Sequence, residues 1–278
     1  MRFSLSISIF LVLIFFKSTA QSYELPTVHL EELTFIEVND ALNNGVKSVI
    51  IPTGGTEPNG PHMVLGKHNF RVKYLAQEIA LKLSDAIVAP TIAYVPEGRI
   101  DPLEGWMNLP GTIHLPEEYF MKLIEYAARS FKQHGFEDII LIGDSGGNQN
   151  GLKKVSESLN LEWKDTNVRV HYISEYYKSS SISTVLDSLE TEGFNPKDFG
   201  EHAGLTDTSR LLAISKELLR VDIMETLEYN DWSIDENRKL GYGGNPSQSS
   251  VKIGIRLNNA KILDSVDQIN KLKDESRK

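Results

Sequence analysis

Cysteine is absent from this sequence. No disulfide can brace the fold, so its stability must come from core packing. No thiolate can bind a metal either, so any ion must be held by His, Asp, Glu or water, which disfavours a closed structural zinc site. A surplus of positive charge is lacking too: 29 Lys and Arg face 38 Asp and Glu, a formal charge of −9. Such a surface repels phosphate backbones, and nucleic acid is excluded as a partner. Long apolar runs are scarce. The one conspicuous example, Ile9 to Phe16, is too short to span a bilayer. With Arg2 before it and Ser18-Thr19-Ala20 after it, this run reads as a secretory signal peptide cleaved after Ala20. The expected product is exported, periplasmic or secreted, with no membrane contact after cleavage. The leader holds two of the basic residues and none of the acidic ones, so residues 21–278 carry −11. No internal repeat or low-complexity linker divides them, and a single domain over 21–278 is expected.

What is present is an alternation of short apolar runs with longer amphipathic ones. Val49 to Ile51, Ala86 to Ala89, Ile139 to Ile142 and Val168 to Ile173 read as buried strands. Val72, Leu75, Ala76, Ile79, Ala80 and Leu83 recur at helical spacing, as do Phe120, Leu123, Ile124, Ala127, Ala128 and Phe131. Pro116 opens the second of these helices and Gly135 stops it, while Ile255, Ile262, Val266 and Ile269 mark a closing helix. Strands separated by helices predict a mostly parallel sheet covered on both faces, a three-layer α/β/α sandwich. Right-handed crossovers bring the strands' C-terminal ends to one edge, where open α/β sheets bind ligands.

Three polar stretches follow strands or precede a helix and are the candidates for chemistry. "GGTEPNGPHMVLGKHN" begins at Gly54 and concentrates Glu57, Asn59, His62 and His68 in a segment too rich in Gly and Pro to be regular structure. "GDSGG" at 143–147 fits the G-x-S-x-G turn of a serine hydrolase, with His171 or His202 as the base and Asp165, Glu175 or Asp187 as the acid. The same glycines also serve a simple tight turn, with Asp144 or Ser145 capping the next helix. "EHAGLTDTS" at 201–209 sets Glu201 beside His202 ahead of a helix.

In order and spacing these three segments resemble the signatures of the creatininase (creatinine amidohydrolase) family, over roughly residues 32 to 215. The resemblance implies hydrolysis of an amide or cyclic-amide C–N bond in a small molecule, with zinc or manganese, by a homo-oligomer that in creatininase itself is a hexamer. The match at the ligand positions is partial. The family pattern E-x-H-G-P-H, with an aspartate nine residues after its first histidine, is met at Glu57. Asn59 stands for the histidine and His68 for the aspartate that bridges two metals. Ser145 stands where the second segment carries a histidine ligand and Gly147 where creatininase has a further glutamate. Glu201 and His202 match the family's active-site pair.

An imidazole offers one lone pair to one metal and cannot bridge two ions as a carboxylate does. The expectation is therefore one divalent ion, zinc or manganese, held by Glu57, His68 and Asp144 with an open position for water. His202, oriented by Glu201, would move the proton. Asn59, His62, Trp106 and Ser145 are the expected substrate contacts, with Asn59 and Ser145 placed to steady an oxyanion. Two alternatives stay open: a serine hydrolase using Ser145, and a non-catalytic relative that binds a small molecule without the metal.

Overall fold

The computed structural model describes residues 25–200 and 202–277. The leader expected over residues 1–20 lies outside them, as does Glu201.

Helix α1 (Phe35–Asn43) starts at a capping box, in which the Thr34 side chain accepts from Glu37 N and the Glu37 carboxylate accepts from Thr34 N. Strand β1 (Ser48–Thr53) follows, then α2 (Lys67–Leu83), β2 (Ala86–Val88), α3 (Glu117–His134), β3 (Asp138–Gly143), α4 (Gln149–Glu162) and β4 (Arg169–Tyr172). The C-terminal part adds α5 (Ser181–Thr191), α6 (Leu205–Leu212) and the long α7 (Val251–Ser276). The four strands pair in parallel in the order β2-β1-β3-β4, with Ser48 beside Asp138 and Thr53 beside Gly143 at the two ends of the central pair.

Side chains alternate across this sheet with the two-residue period of a strand. Val49, Ile51, Ile139 and Leu141 face one way and pack with Phe120, Ile124 and Ala128 of α3 and Leu152 and Leu159 of α4. Ile50, Ile140 and Ile142 face the other way, onto Val72, Leu75, Ala76 and Ile79 of α2 and Ile262 and Ile269 of α7. Because both faces are covered, the strands are apolar on both sides, as a parallel sheet requires. The architecture is the three-layer α/β/α sandwich that the periodicity predicts.

The helix boundaries follow local chemistry. Pro116 precedes α3, and Gly135 closes it in the left-handed region at φ 101°. Asp138, at the start of β3, accepts from His171 Nε2 at 2.8 Å, which directs that ring toward the strands' N-terminal ends. Those ends, at Thr53, Val88, Gly143 and Tyr172, share one edge. The Gly-rich loop after β1, the turn after β3 and the start of α6 meet there.

Candidate active site

The first turn of α2 supplies the positive charge of this edge. Lys67, His68 and Arg71 sit at positions whose side chains share one helix face, and all three are buried. Negative charge arrives from three other elements. Glu57 comes from the loop after β1, Asp144 from the residue after β3, and Asp207 from the first turn of α6. Glu57 Oε1 lies 2.7 Å from His68 Nε2 and 3.6 Å from Lys67 Nζ. Asp144 Oδ2 accepts from Arg71 Nε at 2.6 Å and lies 3.5 Å from His68 Nδ1. Asp207 accepts from Lys67 Nζ at 3.0 Å, Arg71 Nη1 at 2.6 Å and the Ala203 amide at 3.1 Å.

These contacts set the protonation states. Burial pushes the Glu57 carboxyl up, but His68, Lys67 and His202 outweigh it and hold the group well below the usual range. Burial opposes the charge of Asp144 as well, and Arg71 and His68 again win. Burial and Lys67 push the His68 pKa down, yet Glu57 and Asp144 more than offset them and the net shift is upward. Glu97, which sequence reasoning missed, behaves in the opposite way. Burial first, then the charge of Glu57, pushes its carboxyl up to about 8. It fits because residue 55 is glycine: a Cβ there would lie 1.9 Å from Glu97 Oε1. Two neighbouring carboxyls whose pKa values are driven apart carry one negative charge between them at neutral pH.

His202 reaches the same pocket from the loop before α6. Its Nε2–H donates to the Pro58 carbonyl at 2.8 Å, which leaves the Nδ1 lone pair facing Glu57 Oε1 at 3.8 Å. The ring packs in a three-ring cluster, 4.7 Å between centroids from Trp106 and 5.4 Å from Trp232, with the two indoles 5.8 Å from each other. Burial, followed by the charge of Lys67, lowers its pKa to about 4, so it is a neutral base at pH 7.

Glu57, His68, Asp144, Ser145 and His202 therefore line one cavity of about 390 Å³, together with Lys67, Arg71, Tyr177, Asp207, Arg210 and Lys261. Trp106, an expected substrate contact, does not line the cavity and bears on it only through its contact with His202. Two further expected substrate contacts are corrected. Asn59 is fully buried, and its amide braces the loop by donating to the carbonyls of Glu57 at 2.8 Å and Val64 at 3.2 Å. His62 is fully buried too, donating from Nε2 to Thr208 Oγ1 at 2.9 Å, with its ring edge-on to Tyr242. Neither lines the cavity. Ser145 does line it, but its Oγ accepts from the Gly147 amide at 3.4 Å and has no histidine partner among the described residues. The proposed base His171 is engaged with Asp138. The serine-hydrolase alternative thus lacks its base. Orientation of His202 by Glu201 lies outside the described residues; the contacts that hold the ring are Pro58 and the two tryptophans.

The expected metal set is corrected as well. Glu57, His68 and Asp144 do converge, but their lone pairs are spent on one another and on Lys67 and Arg71. A divalent ion placed among them would stand against the Lys67 ammonium and the Arg71 guanidinium. Among the described residues no group of three or more His, Cys, Asp or Glu is arranged to hold a metal. At position 147 a Cβ would lie 2.0 Å from the Pro96 carbonyl oxygen, so no ligand side chain fits there without moving that loop. The donor set does not fit a resident metal ion. The missed signal is the basic spacing of Lys67, His68 and Arg71 along α2.

The sequence matches the family model for creatininase (creatinine amidohydrolase) over residues 31–269. A 3-dehydro-scyllo-inosose hydrolase of Thermotoga maritima is 29% identical over 125 residues, 44% of this chain and 38% of that protein. A mycofactocin precursor peptide peptidase of Mycolicibacterium smegmatis is 26% identical over 186 residues, 65% of this chain and 63% of its own length. The chain thus spans less than two thirds of each of these curated relatives. Among solved structures, creatinine amidohydrolase (creatininase) superposes with a TM-score of 0.69 at 22% identity, covering 88% of this chain and 98% of that one. A manganese form of creatininase gives 0.68 at 22% identity, with the same coverage. At these identities the structural likeness is one of fold.

Proposed function

The chain belongs to the creatininase family, and from that premise we propose that it hydrolyses an amide or cyclic-amide C–N bond of a small molecule in the His202 pocket. One observation carries the reading: a neutral imidazole, fixed in one tautomer, aims its free Nδ1 lone pair into a buried, charged cavity. In this reading a water held between Glu57 Oε1 and His202 Nδ1 attacks the amide carbonyl as Nδ1 takes its proton. The oxygen that gains charge is met by the Lys67 ammonium and by backbone N–H groups of the glycine turn after Ser145. The C–O bond forms, the C–N bond breaks, and His202 returns the proton to the departing nitrogen. Trp106 and Trp232 keep the ring in place and exclude bulk water from it.

The metal dependence expected from the resemblance forms no part of this mechanism, because the charge an ion would supply is built into α2 as Lys67 and Arg71. A non-catalytic binding protein is the second reading, favoured by the departures at Asn59, Ser145 and Gly147. Export after cleavage behind Ala20, and assembly into a homo-oligomer, remain part of the proposal. N-terminal sequencing of protein from its native compartment tests the first and light scattering the second.

The decisive assay follows ammonia or amine release from a panel of small linear and cyclic amides, with and without chelator. We expect turnover that chelator does not abolish, and a loss of about a hundredfold or more in His202→Ala. No turnover on any amide, or full activity in His202→Ala, would sink the reading.

A further inference from the structure

Arg210 is the one cation of the cavity with a buried nitrogen that nothing satisfies. It projects from α6 and is only 6% exposed. Its Nε donates to Asn258 Oδ1 on α7 at 3.1 Å, and the same Asn258 donates from Nδ2 to the Arg210 carbonyl at 3.0 Å. Asn258 therefore holds both the Nε side of the guanidinium and the backbone of Arg210. Its Nη2 is buried with no partner among the described residues. Beside it, Lys261 of α7 donates to the carbonyls of Tyr176 at 2.6 Å and Tyr177 at 2.8 Å, and burial, followed by the charge of Arg210, pushes its pKa well below the ordinary lysine value.

The cations of the wall are not equally partnered. Lys67 and Arg71 are consumed by Glu57, Asp144 and Asp207. Arg210 and Lys261 have no carboxylate of their own within ion-pair distance among the described residues. Burial lowers the Arg210 pKa only to about 10, so its guanidinium stays charged at neutral pH and is the unpartnered cation of the wall. A buried guanidinium with an idle N–H is costly unless something fills its place.

We propose that the cavity takes a small molecule bearing a carboxylate, with Arg210 as its anchor and Lys261 beside it. Its preference for charged ligands is then the reverse of a metal centre's. One unpartnered guanidinium suits a carboxylate better than a phosphate dianion, which would meet Asp144 and Asp207 in the same wall. The cavity's size, about 390 Å³, suits a small metabolite. The proposal rests on this pocket being the working site, and it names the substrate as an amide that carries a carboxylate.

Binding tests it without turnover. Calorimetry and thermal melting at fixed ionic strength would compare acetate, neutral acetamide, inorganic phosphate and zinc chloride. We expect acetate to bind at one site per chain and raise Tm, acetamide to do neither, phosphate to bind more weakly than acetate, and zinc to bind below one ion per chain. Arg210→Gln should weaken acetate by about tenfold or more, and Arg210→Lys should restore part of it. Equal binding of acetate and acetamide, or stoichiometric zinc, overturns the proposal; so does unchanged acetate affinity in Arg210→Gln. If Arg210→Gln does not fold, the acetate–acetamide contrast and Arg210→Lys decide. Carboxylate binding without hydrolysis of any amide defeats only the hydrolase reading. Hydrolysis with no preference for carboxylate-bearing amides defeats only this proposal.

Discussion

Replacing Arg71 by Met tests whether the charge built into α2 is what keeps the acidic residues of the pocket ionised. Arg71 is 3% exposed and holds two carboxylates, Asp144 through Nε at 2.6 and 3.1 Å and Asp207 through Nη1 at 2.6 Å. Met fills much of the same volume but carries no charge. Asp207 would still have Lys67 at 3.0 Å. Asp144 would keep only His68, at 3.5 Å. Breaking a buried pair on one side costs about 3–5 kcal/mol, because the remaining charge is left uncompensated. At about 2–4 °C per kcal/mol for a chain of this size, Tm should fall by about 10 °C. The deficit should also depend on pH. In the native protein the folded pKa of Asp144 lies below its unfolded value, so its contribution is present above about pH 4 and lost as pH falls through the folded pKa. Without Arg71, burial dominates and the carboxyl holds its proton to higher pH. The variant should therefore be weakest relative to wild type near pH 7 and closer to it at pH 4. Urea melts at both pH values measure this, and adding Asp144→Asn to the variant should recover part of the loss. A cost under about 1 kcal/mol at pH 7, or one that does not change with pH, would refute the reasoning.

Three further outcomes follow from the same site and its supports. The kcat/KM of the hydrolase reading should fall as pH drops through about 4, where His202 gains a proton; a value unchanged from pH 7 down to about pH 3 excludes the assignment. Glu97→Gln should remove a stability loss. The folded pKa of Glu97 is raised, so its contribution is intact below about 4.5 and declines as pH rises through about 8, at about 1.4 kcal/mol per pH unit. The variant's stability–pH slope between 5 and 8 should thus be more positive than wild type by about that much. Gly254→Ala should destabilise by about 1–3 kcal/mol in urea titration, because a Cβ on α7 would lie 1.9 Å from the Ser209 carbonyl oxygen of α6; a neutral substitution would mean that α6 and α7 are not in that contact.

The sheet was legible because its signal is redundant. A parallel strand must be apolar on both faces, so Val49 to Ile51 and Ile139 to Ile142 read directly as continuous runs. The helices α2 and α3 then declared the two covering layers by their spacing. Boundaries shifted by a residue or two where the chain alone cannot define them: β1 runs on to Thr53, whose hydroxyl donates to the Ile142 carbonyl at 3.1 Å. The region between β4 and α7 was the least readable. Its short helices are set by contacts such as Asp264 with Ser179 and Ser181, 85 and 83 positions apart, which no local pattern announces.

The site divides along the same line between local and distant information. Glycine-rich segments after strands announce where ligands meet the sheet edge, and they brought Glu57, His68, Asp144 and His202 into one cavity. What each residue does there depends on neighbours that carry no motif. Asn59 and Glu57 stand two positions apart in one loop, yet one is tied to backbone carbonyls and the other faces the cavity. That difference is fixed by the path of the loop past Val64. Lys67 and Arg71 look like ordinary helix cations until Asp207, more than a hundred positions later, closes the network around them. Residue types that suit metal ligation are also the types that suit buried ion pairs, because both need exposed lone pairs and formal charge. Only the position of the cations distinguishes the two cases. Here they lie inside the ring of acids, so Arg210 is left as the cation without a carboxylate among the described residues, and the ligand proposed to complete the pocket is an anion.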